Sequence, residues 1–474
     1  MNERIEIADP PEWFAYDPQE IAEGSQTAPD VAQGILEHRG QARFAYRLAE
    51  AYTGRLLHVH GLGWHTWDGT RWAPDERGAA TRAVLDVLRR EWKRAFDDKE
   101  LARDVKACET AAGVRGVLDL ASALEPFAAT VGELDADPYL LNVANGTLDL
   151  RTMTLRCHDP ADRITKVTRA AYTPGAMSPD WDRFLTRVLP DEAVREYLQR
   201  FVGVALLGAV REQVFTIATG AGANGKGVFY GAVLHALGDY AHAAESDLFM
   251  TTKSNANAAS PAVMALRGRR FVVCSETERD HRLAAALMKN LTGGDPITAR
   301  ALHRDPVTFD PSHTVLMVTN FLPKVAGNDP AVWRRMRVVP FDVVIPPAER
   351  DAGLGERLHL AADAILAWAV DGYRRYLEHG FAAPDAVLAA TADYQKRSDA
   401  VARFIEDRCI TGPNFVVAAA DLFTAWSAWI ADDGSEPLSK RDFGEELDKR
   451  GFRAGKSGSK RTRKGIDLQE VDDE

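Results

Sequence analysis

The stretch Gly-Ala-Gly-Ala-Asn-Gly-Lys-Gly at residues 220–227 decides how the centre of this chain folds. An apolar run of strand length precedes it at 213–218, and residues 228–237 follow with apolar side chains at helical spacing. Strand, glycine loop and helix in this order are typical of a loop whose backbone N–H groups converge on phosphate oxygens. Lys226 adds a full positive charge for the outer phosphates, so the pattern predicts a nucleotide site.

One position departs from the usual pattern. The residue after the lysine is normally Ser or Thr, whose hydroxyl binds Mg²⁺, but here it is Gly227. A glycine-rich turn with a chance lysine is the alternative interpretation of the stretch. The predicted nucleotide-binding residues are Gly220, Ala221, Gly222, Ala223, Asn224, Gly225, Lys226 and Gly227.

Length and composition indicate a multidomain globular protein. The chain has 474 residues, 46% hydrophobic content and a net charge of −11. No apolar run approaches the roughly 20 residues of a membrane span, so we expect no membrane partner. The N-terminus lacks the basic start and apolar core of a secretory signal. The four cysteines lie far apart without a CxxC pair, which favours a reducing compartment, the cytoplasm, over a zinc site.

Two later strands end in polar residues that suit phosphoryl transfer. Residues 268–278 form an apolar strand ending in Glu276 and Glu278, and residues 312–320 form another ending in Asn320. Alternating strands and helices predict a three-layer α/β/α core with a parallel sheet, whose ligand sits at the carboxyl ends of the strands. We expect Glu276 to hold Mg²⁺ or orient water, with Glu278 as a second candidate acid, and Asn320 to contact the γ-phosphate or the water. Ordinary strand-end carboxylates and a turn-capping Asn are the alternatives.

An arginine pair, Arg334 and Arg335, follows in a locally cationic run. An arginine finger that reaches a neighbour's nucleotide would explain this pair and would require a ring of subunits. Surface salt bridging is the alternative.

Basic residues outside the nucleotide site suggest contact with DNA. The pattern at 297–309 predicts a hairpin with a basic tip, and 401–468 predicts helix, turn, helix and a hairpin with a long basic loop, which is a winged helix. Residues 449–464 are rich in Lys and Arg and contain no acid, which suits a phosphate-binding surface, although a basic loop without a partner is the alternative. The predicted DNA-binding residues are Lys289, Arg300, His303, Arg304, Lys456, Lys460, Arg461, Arg463 and Lys464.

The predicted domain organisation follows from these patterns. It comprises an acidic, flexible tail (1–40), a small N-terminal α+β unit (41–135), a hairpin and helical collar or oligomerisation segment (136–205), the ATPase core (206–345), a helical extension (346–400) and a winged-helix-like domain with a basic wing (401–474). In the N-terminal unit, Trp64, Trp67 and Trp72 could stack on bases or form a small core.

Several motifs stand in a characteristic order: GxGxNGK at 220–226, SETE at 275–278, K-x-L-T-G-G-D-x-I-x-A-R at 289–300, T-N at 319–320 and D-x-A-V-W-R-R at 329–335. With these motifs the chain resembles superfamily 3 helicases of the phage and plasmid type, which are related to the poxvirus-type helicase–primases. The resemblance covers about residues 140–410.

The resemblance implies an AAA+-like P-loop ATPase core. Together with the patterns in the flanking residues, we expect a multidomain α/β protein in which this core is flanked by a mostly helical N-terminal domain and a C-terminal winged helix. It implies ATP and Mg²⁺ as cofactors, a homo-oligomeric ring that is usually a hexamer, and translocation on single-stranded DNA in a bacterial host's cytoplasm. It assigns phosphate binding to Lys226, the Walker B acid to Glu276, the sensor to Asn320 and the finger to Arg334 or Arg335. A separate primase or other replication proteins are the implied partners, because no carboxylate-rich primase site is evident and primer synthesis is not expected on this chain.

The sequence therefore predicts a ring-forming, ATP-dependent replicative DNA helicase of a phage or mobile element, acting on single-stranded and forked DNA. The alternative is an ATP-switched origin-binding or helicase-loading protein with little unwinding activity. A small-molecule kinase shares the phosphate loop but leaves the basic hairpin, the arginine pair and the C-terminal domain unexplained.

Overall fold

The computed structural model describes residues 28–246, 248–251, 261–276, 282–300, 306–325, 329–433, 437–458 and 460–469. The chain divides into two compact units. The first takes in residues up to Ala136 together with Asp159–Thr165, and the second takes in Asp137–His158 and the residues from Lys166 onward. Part of the predicted flexible tail, 1–40, is helical, because Ala28–Glu37 forms a helix, and the rest of the tail up to residue 27 lies outside the described residues.

The first unit combines helices with a small sheet. Its helices are α1 (Ala28–Glu37), α2 (Gly40–Tyr52), α3 (Ala79–Arg94), α4 (Lys99–Cys108) and α5 (Ala111–Ala121). Its strands are β1 (Leu56–Val59), β2 (Gly63–Trp67), β3 (Trp72–Pro74) and β4 (Ala128–Ala129), in the sheet order β3-β2-β1-β4. Asp98 caps the N-terminus of α4, because its side chain accepts hydrogen bonds from the backbone N–H groups of Glu100 and Leu101.

The tryptophans of this sheet pack into the unit's interior. Trp72 is 3% exposed and packs at a tilted angle against Trp67. Trp64 meets the buried ring of Phe127 edge-on, at a centroid distance of 5.6 Å. Of the two interpretations of these tryptophans, the contacts support the small core.

The second unit carries the remaining elements. Its strands are β5 (Leu140–Val143), β6 (Gly146–Asp149), β7 (Thr154–Arg156), β8 (Phe215–Thr219), β9 (Ala241–Ala244), β10 (Phe271–Glu276), β11 (Ile297–Ala299), β12 (Val307–Phe309), β13 (Thr314–Thr319), β14 (Met336–Pro340), β15 (Cys409–Ala418), β16 (Ala454–Ser457) and β17 (Lys460–Leu468). Its helices are α6 (Pro179–Val188), α7 (Glu192–Val204), α8 (Lys226–Leu237), α9 (Pro261–Met264), α10 (Ala285–Leu291), α11 (Pro330–Trp333), α12 (Leu354–Leu360), α13 (Ala362–His379), α14 (Asp385–Ser398), α15 (Ala400–Arg408), α16 (Ala419–Asp433) and α17 (Lys440–Lys449).

A five-stranded sheet in the order β14-β8-β13-β10-β9 forms the centre of this unit, and each neighbouring pair is parallel. Its inner strands are buried almost throughout, as expected when helices cover both faces of a parallel sheet. The predicted multidomain α/β organisation with a parallel sheet is therefore confirmed. Helix α8 packs on β9 and β10, and α13 packs on α7 and α8.

Two predicted hairpins are present with small differences. Strands β5 and β6 pair Val143 with Gly146, so the two-residue turn is Ala144 and Asn145, one residue earlier than the predicted turn at Asn145 and Gly146. The Asn145 side chain fixes this turn by hydrogen bonds to both backbone groups of Tyr172. Strands β11 and β12 pair antiparallel, as predicted for 297–309.

The C-terminal segment packs α15, α16 and α17 against an antiparallel sheet in the order β15-β17-β16. Phe404, Trp426 and Phe443 meet in its core. The prediction of a long basic loop was wrong, because β16 ends at Ser457 and β17 begins at Lys460. Lys460, Arg461, Arg463 and Lys464 therefore lie on β17, which pairs with β15 and β16.

Candidate functional site

Strand register brings the predicted site residues to one edge of the parallel sheet. Thr319 of β13 pairs with Thr219 of β8 on one side and with Glu276 of β10 on the other. Gly220 and Asn320 follow these paired threonines directly. The glycine loop, Asn320 and the backbone of Glu276 therefore share the carboxyl edge, where parallel sheets hold their ligands.

Close contacts fix the beginning of the glycine loop. A Cβ atom at Gly220 would collide with the Asn224 amide and the Phe341 carbonyl, so only glycine fits there. The Asn224 amide donates to the Phe341 carbonyl across 2.9 Å and is 3% exposed. The side-chain amide of Asn224, one of the predicted nucleotide-binding residues, ties the loop to the chain that follows β14.

The end of the loop is fixed by backbone conformation and packing. Gly225 has a φ of 85°, and a Cβ there would lie 2.6 Å from a Val188 methyl group. Ala223 has a left-handed φ of 48°, and its carbonyl accepts a hydrogen bond of 2.8 Å from the backbone N–H of Ile345. A left-handed non-glycine residue costs roughly 1–2 kcal/mol, so surrounding contacts must hold this shape.

The ammonium group of Lys226 is held at three points. It donates to the Gly220 carbonyl at 2.8 Å, to Asn224 Oδ1 at 3.2 Å and to Asn320 Oδ1 at 3.2 Å. All three acceptors are neutral oxygens, and burial lowers the pKa of Lys226. Phosphate oxygens would make stronger, charge-assisted bonds with this ammonium group, so the arrangement is suited to an anion.

The outer side of the loop is open. A Cβ atom added at Gly222 or at Gly227 would meet no heavy atom within 4 Å, and Gly227 is exposed in the first turn of α8. A cavity of about 740 Å³ also adjoins Gly220 and Asn320. A side chain with a hydroxyl would therefore fit at position 227. No neighbouring atom of the fold requires a glycine there.

The two arginines of the predicted finger differ in their surroundings. Arg335 is 7% exposed and donates to the Ala331 carbonyl at 2.8 Å and to Gln213 Oε1 at 3.2 Å. Burial is the main cause that lowers the pKa of Arg335. Arg334 is exposed, and its guanidinium forms no hydrogen bond or ion pair with the residues that the structure describes.

Arg334 lies far from the glycine loop of its own chain. β14 runs parallel to β8, and Arg334 precedes its amino end, whereas the loop follows the carboxyl end of β8. At about 3.3 Å per residue, the stretch from Arg334 to Pro340 spans roughly 20 Å. An arginine side chain cannot cover that distance, so Arg334 does not reach the glycine loop of its own chain.

Lys289, predicted to bind DNA, pairs with an acid of the arginine motif. Its ammonium lies 2.9 Å from Asp329 Oδ2, and this hydrogen bond is the main cause that lowers the pKa of Asp329. Asp329 Oδ1 accepts a hydrogen bond from the Ala331 N–H, so Asp329 caps the N-terminus of α11. Sequence reasoning quoted Asp329 within the motif but gave it no role, and the pair shows that it anchors the segment leading to Arg334.

The predicted basic hairpin tip is only partly described. Arg300 is exposed at the end of β11, and Thr298 and Thr308 form a cross-strand hydrogen bond of 2.9 Å below it. His303 and Arg304 lie outside the described residues, as does Glu278. The side chain of Glu276 is likewise outside them, so the geometry of the predicted acids stays a prediction.

The basic residues between positions 449 and 464 fall into two groups. Lys449, Arg450 and Arg463 are paired with acids, namely Glu446, Asp399 together with Glu446, and Asp448. The exposed residues that form no ion pair with described residues are Arg453, Lys456, Lys460, Arg461 and Lys464. A groove of about 830 Å³ between α17 and the β16–β17 hairpin is bordered by Lys456 and Arg461. Of the predicted set, Arg463 is thus engaged within the fold.

Family models match three parts of the chain. The model described as D5 N terminal like matches residues 45–190, a family of unknown function matches 218–335, and the model described as Poxvirus D5 protein-like matches 396–464. The predicted resemblance to relatives of the poxvirus-type helicase–primases is confirmed by the first and third of these matches.

Curated relatives come from large DNA viruses. A protein of Acanthamoeba polyphaga mimivirus named a "putative helicase" is 28% identical over 319 residues, 62% of this chain and 33% of its own length. A "putative helicase" of Frog virus 3 is 27% identical over 280 residues, 55% of this chain and 29% of its own length. A "putative primase" of African swine fever virus is 23% identical over 343 residues, 66% of this chain and 35% of its own length. The chain spans about a third of the length of these relatives.

Among solved structures, the apo form of the NrS-1 C-terminal region aligns with a TM-score of 0.41 and 11% identity, over 63% of this chain and 77% of that chain. Similarity at this level does not establish a shared fold.

Within the described residues, no helix is both long and apolar enough to cross a membrane.

Proposed function

We propose that this chain is an ATP-dependent DNA helicase of the superfamily 3 type, built on an AAA+-like P-loop core. In this proposal it acts as a ring, a hexamer in the simplest case, and moves along single-stranded DNA during replication of a mobile element. The observation that carries the proposal is the contact of Lys226 with both the glycine loop and Asn320 at the carboxyl edge of the parallel sheet. The viral relatives named helicases and primases support it.

The residues at this edge fit a nucleoside triphosphate. Bound ATP with Mg²⁺ would supply the phosphoryl group and the cation that neutralises its charge. Lys226 would exchange its neutral partners for phosphate oxygens, and the exposed N–H groups of the loop would cradle them. Asn320 would orient water or the outer phosphate, and Glu276 would be the acid beside it.

The position of Arg334 supports assembly into a ring. This side chain is exposed and lies roughly 20 Å from its own loop by strand length, so it would act on the nucleotide of a neighbouring subunit. The Lys289–Asp329 pair would hold the segment in the orientation for that contact. Arg335 would serve as its buried support.

DNA contacts are proposed at two places. The C-terminal segment combines helices with an antiparallel hairpin, which supports the proposal of a winged helix, and its exposed basic residues Lys456 and Arg461 border the groove beside α17. We assign duplex binding to Lys456, Lys460, Arg461 and Lys464. The β11–β12 hairpin, with Arg300 and the predicted tip residues His303 and Arg304, would grip a single strand by its phosphates.

ATP turnover with and without single-stranded DNA tests the nucleotide site. We expect DNA to stimulate turnover and Lys226→Ala to reduce it by about 100-fold or more, because the main cation of the site is lost. Lys99→Ala, which removes an exposed lysine of the first unit, is the matched control. Equal turnover in Lys226→Ala and the control would overturn the site assignment.

A second candidate function is an ATP-switched origin-binding or loading protein. Gly227 favours it, because the missing hydroxyl weakens the usual hold on Mg²⁺ and with it hydrolysis. Sedimentation with ATP, run beside a forked-DNA unwinding assay, separates the candidates. Nucleotide-dependent assembly without strand displacement would favour the loader, and assembly with displacement would favour the helicase.

A further inference from the structure

Helix α14 contacts two segments that matter for the proposed function. One is the loop that carries Asn320, and the other is the segment that carries Arg334. It packs along the edge strand β14, where Thr391 Oγ1 accepts a hydrogen bond of 2.9 Å from the backbone N–H of Val338. One turn later, Tyr394 is 3% exposed. Its position brings it against loops from two different strands.

The hydroxyl of Tyr394 holds the loop that carries Asn320. It donates a hydrogen bond to the carbonyl of Pro323, three residues beyond Asn320. The same loop is fixed at its start by Thr319, whose hydroxyl bonds both backbone groups of Phe321, and at its end by a 2.9 Å bond from the Leu283 N–H to the Lys324 carbonyl. The Tyr394 hydroxyl therefore attaches the loop at a point between these two ends.

The ring of Tyr394 holds the segment that carries Arg334. It meets the indole of Trp333 edge-on, with centroids 5.1 Å apart and planes at 77°. Trp333 is 6% exposed and directly precedes Arg334. Edge-on aromatic pairs prefer a particular geometry, so this contact ties the position of the Trp333 ring to that of the Tyr394 ring.

We propose that Tyr394 is a positioning residue for ATP hydrolysis, which sets the Asn320 loop and the Trp333–Arg334 segment relative to each other. The proposal rests on the proposed function, because it assigns Tyr394 a part in the same reaction. In this proposal Tyr394 acts through Asn320 and Arg334. Its hydroxyl contributes the contact to one element and its ring contributes the contact to the other, so the two contributions can be separated by mutation.

The test compares Tyr394→Phe with wild type and with Tyr376→Phe. Tyr376→Phe is the matched control, because it also removes a hydroxyl that donates a hydrogen bond, of 2.9 Å to Glu212, away from the Asn320 loop. In Tyr394→Phe we expect the kcat for ATP to fall by about tenfold, KM to change by less than about twofold, and the melting temperature to stay within about 3 °C. Tyr376→Phe should retain the wild-type kcat.

A double-mutant cycle with Asn320→Ala examines the route of the effect. If Tyr394 acts through Asn320, the double variant should turn over ATP no more slowly than Asn320→Ala alone. Additive losses would contradict this route. A lower melting temperature with unchanged kcat in Tyr394→Phe would show a structural role only and overturn the proposal.

Hydrogen exchange separates failure of this proposal from failure of the proposed function. Amides of residues 320–325 should exchange at least about threefold faster in Tyr394→Phe than in wild type or Tyr376→Phe. Unchanged exchange would overturn the positioning contact itself. Absence of ATP turnover in the wild type would instead overturn the proposed function, and with it the catalytic consequence of the contact.

Discussion

The ammonium nitrogen of Lys226 lies 3.2 Å from the side-chain oxygen of Asn320, although the two residues are 94 positions apart in the chain. Parallel pairing of β8 and β13 brings them together, because Thr219 and Thr319 are direct partners in the sheet. A lysine and an amide at this distance can contact the same phosphate group. The contact is the geometric basis of the proposed ATP site.

Asn320→Ala separates nucleotide binding from hydrolysis. We expect the affinity for a non-hydrolysable ATP analogue to change by only a fewfold, because Gly220 and Asn224 still hold Lys226. Turnover should fall by about 100-fold or more, as it does when one preorganised polar group is removed from a reaction site. Analogue titration and single-turnover hydrolysis measure the two effects. If analogue affinity and turnover fell by the same factor, Asn320 would shape the nucleotide site without acting in the reaction.

Gly227→Ser tests the missing hydroxyl directly. An added side chain meets no heavy atom within 4 Å, so the variant should fold as the wild type does. Gly227→Ala is the matched control, since it adds the same Cβ without the hydroxyl. We expect Gly227→Ser to reach half-maximal turnover at several-fold lower Mg²⁺ concentration than Gly227→Ala. Identical Mg²⁺ curves for the two variants would show that the metal is held by other groups.

Arg334→Ala and Arg335→Ala should have different effects. Arg334→Ala should reduce turnover by about 1000-fold while leaving the melting temperature unchanged, as expected for an exposed arginine finger. Arg335→Ala should lower the free energy of unfolding by about 1–3 kcal/mol, because it removes a buried guanidinium together with its hydrogen bonds to Ala331 and Gln213.

A mixing experiment shows whether Arg334 acts between subunits. Lys226→Ala and Arg334→Ala proteins, each inactive alone, should regain part of the wild-type turnover when mixed, because a mixed ring contains intact sites at some interfaces. No recovery after verified subunit exchange would contradict a finger supplied by the neighbour.

The exposed basic side chains on β17 should control DNA binding without affecting the stability of the fold. Replacing Lys460, Arg461 and Lys464 with glutamine should weaken duplex binding and lower the slope of log K against log salt by about 0.9 for each lost phosphate contact. Arg463→Gln is the contrasting variant, because Arg463 bonds Asp448 and the Phe452 carbonyl and its loss should lower the melting temperature. Titrations at several salt concentrations provide the measurement. An unchanged slope in the triple variant would assign this surface to protein contacts.

Acid should weaken the ion pair between Arg450 and Glu446 at the end of α17. Arg450 bonds both Asp399 and Glu446. Burial acts to raise the pKa of Glu446, but hydrogen bonds from Lys449 and Arg450 outweigh it and lower this pKa. A lowered carboxyl pKa adds stability above the unfolded value of about 4.3, and this contribution is lost as pH falls through the folded pKa. Between pH 7 and pH 3 the melting temperature should therefore fall less steeply in Glu446→Gln than in wild type. Equal falls in the two proteins would contradict the stabilising role of Glu446.

Local sequence patterns predicted the parts of the site that depend on strand ends and glycines. The order of apolar strands was enough to expect residues 220–227 and Asn320 at one edge, because parallel strands end at the same edge. The collision at Gly220 depends on Phe341, which lies more than a hundred residues away, and no local pattern indicates it.

Partners of charged side chains were not predictable from composition. Lys289 looked like a DNA ligand, yet its partner Asp329 is 40 residues away and meets it only through tertiary packing. Arg463 belonged to a run without acids, yet Asp448 at the end of α17 approaches it in the folded sheet. The role proposed for Tyr394 likewise depends on three elements meeting, which a linear pattern does not record.

Unwinding of a forked DNA duplex is the most direct measurement of the central claim. Wild-type protein with ATP and Mg²⁺ should release the displaced strand, and it should release none with a non-hydrolysable analogue or in the Lys226→Ala variant. Assembly on the fork with ATP hydrolysis but without strand release would contradict the helicase assignment.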